Sequence, residues 1–178
     1  EDHPLKPVNF YGFTKLEIER ILQWYSDLKG VTFGILRYFN AAGFDIEGRI
    51  KGLEKDPENL LPIIMETVSG KRDSMNVFGQ DYKTNDGTGI RDYIHVNDLA
   101  IAHVKTLIAL VERKKNLIIN LATGKGYSVM EVIHNTMEIT NKKVNYDVVD
   151  RRPGDLAELV AISKLGYDVL KWECKYSD

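Results

Sequence analysis

Gly30-Val-Thr-Phe-Gly-Ile-Leu-Arg-Tyr-Phe39 is the stretch on which the fold turns. From Val31 to Phe39 it reads as a strand, β-branched at its start and aromatic at its end, and from Phe33 to Leu36 it is apolar on both parities of an extended chain. Successive side chains of a strand point to opposite faces, so such a run suits a strand covered on both sides, as in a parallel sheet flanked by helices. Before it, residues Tyr11 to Leu28 read as a helix ended by Gly30. Ile18, Ile21, Leu22, Tyr25 and Leu28 recur at helical spacing and are expected to form a buried stripe. Asn9 is the expected N-cap, and Pro4 and Pro7 mark an extended lead-in. A helix feeding a buried strand predicts an α/β fold.

Downstream, the alternation continues. A long loop rich in glycine and charge is expected over Ala41–Asn59, and loops of that length are often functional. Helices are expected at Leu60–Ser69 and Asp98–Glu112, the first followed by Gly70. A further helix opens on the capping box of Ser128 and Glu131. Strands are expected at Met75–Phe78, Tyr93–Val96, Leu117–Leu121 and Val144–Val149. Asp81–Gly89 is a second polar loop, Gly124 and Gly126 make a tight turn, and Arg151–Asp155 a charged one. No internal repeat or low-complexity linker is visible.

Composition narrows the function. The 178 residues suit one domain of ordinary size, and an apolar share of 43% is enough for a core. A formal charge of −2 gives no basic field to hold a phosphate backbone, so nucleic acid is not an expected partner. The run Arg113-Lys114-Lys115 suits the C-terminal end of a helix. Cys174 is the sole cysteine, so no disulfide forms within the chain and a reducing cytoplasm is the expected setting. No membrane span or signal peptide is visible, and the four histidines make no metal-ligand set.

Tyr11 and Lys15 stand four apart near a helix start, so both side chains share a face. A tyrosine base needs such a neighbour, because the free phenol titrates near pH 10 and an ammonium stabilises its phenolate. The same spacing recurs at Tyr25/Lys29 and Tyr167/Lys171, so the pattern alone does not choose. Context favours Tyr11, with two prolines before it, Gly12 beside it and the buried strand after the helix. Arg91, Arg152 and Asp155 are candidate anchors for phosphate oxygens and hydroxyl groups. The alternative is that Arg91–Asp92 and Arg152–Asp155 are local ion pairs. Gly124-Lys125-Gly126 reads as a plain strand-to-helix turn. No G-x-G-x-x-G, P-loop or G-x-S-x-G occurs.

In order along the chain stand Tyr11-Gly-Phe-Thr-Lys15, Leu36-Arg-Tyr-Phe-Asn-Ala-Ala-Gly43, Asn59-Leu-Leu-Pro62, Gly87-Thr-Gly-Ile-Arg-Asp-Tyr-Ile-His95, Asn120-Leu-Ala-Thr-Gly-Lys-Gly126 and Arg151-Arg-Pro-Gly-Asp155. Each is modest alone, but the ordered set resembles the UDP-glucose (UDP-galactose) 4-epimerases of the extended short-chain dehydrogenase/reductase superfamily. The polar loop 81–89 ahead of Ile90 points to that branch over sugar-nucleotide dehydratases.

The resemblance implies the C-terminal part of a Rossmann-type doubly wound parallel sheet plus a smaller α/β substrate-binding domain. Residues 1–40 would close the NAD-binding domain, and 41–178 would mainly hold the UDP-sugar, with some segments returning to the first sheet. It implies an isomerase that passes through a 4-keto sugar, with NAD as a resident cofactor. Tyr11 would take the 4-hydroxyl proton, Lys15 would hold the nicotinamide ribose and favour the phenolate, and Phe39 would lie against the cofactor. Asn40, Asn59 and Leu60 would meet sugar and diphosphate. Asn76, Val77 and Phe78 would flank uracil, and Arg91, Arg152 and Asp155 would hold phosphate and ribose. Leu159 would limit the room beside the sugar C2 substituent. Phe10 and Ile162 depart from the family, which usually has proline and aspartate there. The glycine-rich nucleotide turn is expected upstream of residue 1, so this chain is expected to be a C-terminal half, inactive alone, of a cytoplasmic protein that is a homodimer at full length. The rival expectations are an epimerase or dehydratase of another nucleotide sugar, and a non-catalytic nucleotide-sugar-binding remnant.

Overall fold

A computed structural model describes residues 1–50, 52 and 54–177. Lys51 and Leu53, within the loop expected over 41–59, lie outside the described residues. The first helix, α1 (Phe10–Lys29), begins where its cap predicts: Asn9 is extended and its side chain accepts the Gly12 N–H at 2.8 Å. Gly30 ends it in the left-handed conformation, φ +65°. Its apolar stripe is not buried, contrary to expectation. Ile18, Ile21, Tyr25 and Leu28 are each more than half exposed, because no described element packs over them. Instead α1 is tied to the strand after it by a two-pronged ion pair, Arg37 donating to both Glu19 oxygens at 2.7 and 2.5 Å.

That strand, β1 (Gly34–Tyr38), is shorter than the 31–39 expected. It runs parallel to β5 (Leu117–Leu121). Helix α3 (Val96–Arg113) covers the face bearing Gly34, where a β-carbon would lie 2.5 Å from Thr106 Cγ2. Between α3, β5 and the late helix α5 (Lys164–Leu170) sits one core, built on Leu99, Ala102, Ile119, Leu121, Leu170 and Trp172. A second core joins α2 (Leu60–Ser69), β3 (Met75–Phe78) and α4 (Val129–Thr140) through Ile64, Met75, Val77, Met130 and Ile133. There β3 pairs parallel with β7 (Tyr146–Val149). The Ser128–Glu131 capping box opens α4 with both bonds made.

Between the two cores lies β4 (Ile90–His95), which begins three residues before the expected start. It pairs with β2 (Asn40–Ala42) and β8 (Glu158–Leu159) in parallel and with β6 (Gly126–Ser128) in antiparallel sense. Gly126 permits that closeness, since a β-carbon there would lie 2.4 Å from Ile90 Cγ2. On β4, Asp92 and Ile94 point inward and are fully buried, which leaves Arg91 and Tyr93 on the opposite face. The fold is α/β with parallel strand pairs, as expected, and β4 is the element that carries residues toward the open side.

Candidate functional site

A cleft open to solvent runs along that face of β4, bounded by the start of α2, the end of β3 and the turn 151–155. It encloses about 730 Å³ of space, its solvent mouth included. Eight residues singled out in the sequence border it. Asn59 and Leu60 open α2, and Asn76 and Phe78 are the outward residues of β3. Asn40 begins β2, and Arg91, Arg152 and Asp155 complete the set.

The charged residues converge. Arg91 comes from β4 and Arg152 from the turn, yet both reach Asp155: Arg91 Nη2 lies 3.7 Å from Oδ1, and Arg152 Nε donates to Oδ2 at 3.0 Å. Arg91 also donates to the carbonyls of Ile90 and Leu156, at 2.8 and 2.9 Å. Arg152 lies over the Phe78 ring, its guanidinium carbon 4.6 Å from the centroid. Two guanidinium groups meet beside a flat aromatic face, a pairing suited to a phosphate next to a ring, although Glu58 and Asp155 balance their charge over the cleft as a whole. Beside them, the N-cap side chain of α2 makes no capping bond, so the first N–H groups of that helix add to the same anion preference. The Arg152–Asp155 pair expected as a local contact is present. The Arg91–Asp92 pair is not, because Asp92 is turned inward and accepts from Thr123 N, Thr123 Oγ1 and Gly124 N at 3.0, 2.9 and 3.1 Å.

Tyr93 also borders the cleft and was missed in the sequence. It stands two residues from Arg91 on the same face of β4 and in register with Asn40. Strand alternation from Arg91 is the signal that would have found it. Burial pushes its phenol up to about 12, against the opposing pull of Arg91, so it stays a neutral donor at ordinary pH.

Tyr11 is exposed at the head of α1 with Lys15 on the same face, Nζ 5.1 Å from the ring centroid. Local geometry does not single this pair out, since Lys171 Nζ lies 5.4 Å from the Tyr167 ring. Position does. The turn 151–155 rests on the cap of α1: a β-carbon on Gly154, φ +81°, would meet Val8 O at 3.0 Å and Asn9 Cβ at 3.2 Å. Phe39, half-buried, follows β1, at the carboxyl end of a parallel strand where ligands of α/β sheets gather. Val77 points into the second core, so its side chain does not face the cleft. Leu159 sits on β8 in register with Arg91 and is 37% exposed. Among the described residues no His, Cys, Asp and Glu cluster could hold a metal ion. No described helix is long and apolar enough to cross a membrane.

Parallel strand pairs flanked by helices, with a cleft lined by two arginines, define an α/β protein with a candidate ligand site. The profile of the NAD dependent epimerase/dehydratase family matches residues 1–122, and the chain belongs to that family. It is 44% identical over 177 residues to a UDP-glucose 4-epimerase of Halalkalibacterium halodurans, covering 99% of this chain and 53% of that relative. It superposes on the UDP-glucose 4-epimerase of Brucella ovis in complex with NAD with a TM-score of 0.90 at 41% identity, over 97% of this chain and 53% of the other. On the enzyme of Bifidobacterium longum in complex with NAD⁺ and UDP, the TM-score is 0.87 at 36% identity, over 98% and 53%. The chain spans about half the length of the curated relatives it matches, corresponding to their C-terminal half.

Proposed function

We propose that this chain is the UDP-sugar-binding half of an NAD-dependent UDP-glucose 4-epimerase and interconverts UDP-glucose and UDP-galactose only together with a nucleotide-binding half. The observation that carries the reading is the meeting of Arg91 and Arg152 on Asp155 beside Phe78. In this reading Arg91 and Arg152 grip the diphosphate, and Asp155 accepts ribose hydroxyls once substrate draws the arginines off it. Phe78 and Asn76 flank the uracil, and the Asn59–Leu60 helix start and Asn40 meet diphosphate and sugar. Leu159 bounds the sugar. The strand pair β1–β5 with α1 and α3 belongs to the cofactor side, and α2, β3, α4 and β7 to the sugar-nucleotide side.

The residues present fit one end of NAD. Tyr11 and Lys15 offer exposed donors on one helix face, and Phe39 offers a half-buried ring at the strand end. They would hold the nicotinamide ribose and the ring. No residue here answers to a glycine-rich pyrophosphate turn. When bound, NAD supplies the acceptor and donor of the C4 hydride. Tyr11 removes the proton of the 4-hydroxyl and returns it, Lys15 holds the nicotinamide ribose, and the arginines hold the diphosphate while the sugar turns.

Relatives of nearly twice the length support the further reading that the exposed α1 stripe is covered by the other half of a full-length protein. The chain alone is then inactive and holds no NAD. The test is calorimetric titration of the 178-residue chain with UDP, UDP-glucose and ATP, followed by a turnover assay with and without a separately expressed N-terminal half of a relative. Binding selective for the uridine nucleotides, with turnover only on complementation, is expected. Equal binding of ATP, or turnover by the chain alone, refutes the reading.

A further inference from the structure

Among the described residues, one buried side-chain nitrogen or oxygen has no hydrogen-bond partner: the phenolic oxygen of Tyr82. Buried polar groups are nearly always paired, so an orphan asks for a missing partner. Tyr82 is 6% exposed, and it borders the same cleft as Asn76, Phe78 and Arg91.

Its ring has close neighbours on two sides. Gly79 lies against one side, where a β-carbon would stand 2.9 Å from Tyr82 Cε2. The Arg151 guanidinium lies over the ring, 4.0 Å from its centroid. Arg151 is itself fixed, donating from Nε to the Asp81 carboxylate at 2.6 Å and from Nη2 to the Asp81 carbonyl. The backbone is pinned as well, Tyr82 N donating to Gly87 O at 2.9 Å. Nor do the polar side chains of the loop turn to Tyr82. Thr84 donates to Thr88 O, and the hydroxyls of Thr88 and Ser128 both donate to Asp86. The Tyr82 O–H is thus a buried donor with no hydrogen-bond partner among the described residues, in a residue that borders the cleft.

We propose that the Tyr82 hydroxyl is a ligand-binding group that donates a hydrogen bond to an acceptor oxygen of the nucleoside diphosphate held in the cleft. This deepens the reading above and rests on it. A buried unpaired donor at the cleft wall gains a partner when the ligand brings an acceptor within reach. A uracil carbonyl and a phosphate oxygen are the same kind of acceptor, and the experiment separates them.

Tyr82→Phe removes one oxygen and keeps the ring between Gly79 and Arg151. The measurements are calorimetric titration of the wild-type and Y82F chains with UDP and with inorganic pyrophosphate, and thermal melting without ligand. One lost neutral hydrogen bond predicts a fall in UDP affinity of about 3- to 10-fold. Without ligand the melting temperature should hold or rise, because the variant sheds an unpaired buried group. A loss with UDP but not with pyrophosphate places the acceptor on the nucleoside, and a loss with both places it on the diphosphate; either supports the proposal. Unchanged UDP affinity overturns it, while leaving the nucleotide cleft intact. A lowered melting temperature without ligand also overturns it, because the hydroxyl then has a partner within the fold, such as a trapped water. If the wild-type chain binds no UDP, the nucleotide reading fails and this proposal with it.

Discussion

Gly154 packs against Asn9, so the turn that carries Arg152 and Asp155 rests on the cap of the helix that carries Tyr11. The contact joins two parts of the proposed site from opposite ends of the chain. It sets the start of α1 against the turn 151–155, and it depends on a residue without a side chain.

Gly154→Ala tests that joint. The left-handed backbone at φ +81° costs a residue with a β-carbon about 1–3 kcal/mol, and the new carbon must also push on Val8 O. The variant should lose stability in urea unfolding by about that amount. Its UDP affinity should fall too, because Arg152 and Asp155 move with the turn. Gly48→Ala, at φ +64° with open space around it, supplies the control for backbone strain alone. Equal losses in both variants would mean that the Asn9 contact carries nothing.

The two arginines should not be equal. Arg91 is 16% exposed in its side chain and Arg152 is 57% exposed. A charge-assisted bond is worth about 1.5–3 kcal/mol where water is excluded and much less at a rim. Arg91→Ala should therefore weaken UDP binding by roughly 2 kcal/mol, and Arg152→Ala by less. Arg91→Ala should also lower the chain's own stability, because the Leu156 carbonyl loses its donor. Titration of UDP into both variants, with a melting curve for each, reads the two effects apart.

Acid should loosen the loop over residues 81–89. Burial pushes the Asp86 carboxyl up, but hydrogen bonds from Ser128 and Thr88 outweigh it and hold the group below its ordinary value. A carboxyl depressed in the folded state contributes stability above its unfolded pKa, near 3.9, and loses it as pH falls through the lower folded value. Wild-type stability should therefore drop more steeply below about pH 4 than that of Asp86→Asn, which keeps an acceptor and cannot titrate. Parallel curves of urea midpoint against pH for the two proteins would remove Asp86 from the account.

Local chemistry was legible in the sequence; long-range pairing was not. The helix Leu60–Ser69 and the strands Met75–Phe78 and Leu117–Leu121 stand where periodicity and glycine put them, and Asn9 and Ser128 cap as their side chains predict. Strands β2, β6 and β8 are two or three residues long and exist through pairing with β4, which no local window reveals. Helix α5 was missed because Ser163 makes no capping bond and Gly166 interrupts the pattern. The α1 stripe shows the converse limit. Periodicity names the face that wants cover, and it says nothing of whether the cover lies within these residues. In the cleft, Arg91, Arg152 and Asp155 announced themselves by charge. Tyr82 carried no signal, since its burial depends on Arg151 far along the chain.

Stereochemistry alone leaves two of the three tyrosine–lysine pairs level. Lys15 and Lys171 lie at nearly the same distance from their rings, 5.1 and 5.4 Å. A cation over a ring is thus no mark of a catalytic tyrosine. What sets Tyr11 apart is that its helix begins against the Gly154 turn, whereas Tyr167 lies on α5, which packs through Leu170 into the core under α3 and β5. In a full-length protein, Tyr11→Phe should cut turnover of UDP-galactose by about 10²- to 10⁴-fold, the range that a positioned acid–base contributes. UDP affinity should be nearly unchanged, since the anchors lie on Arg91, Arg152 and Phe78. Tyr25→Phe and Tyr167→Phe should leave turnover within about twofold, as surface substitutions away from a site do. Steady-state kinetics on the three variants, with UDP titrations beside them, read kcat apart from binding. A loss confined to affinity in Tyr11→Phe would make that phenol a ligand contact, and a turnover collapse in Tyr25→Phe or Tyr167→Phe would move the chemistry to another helix face.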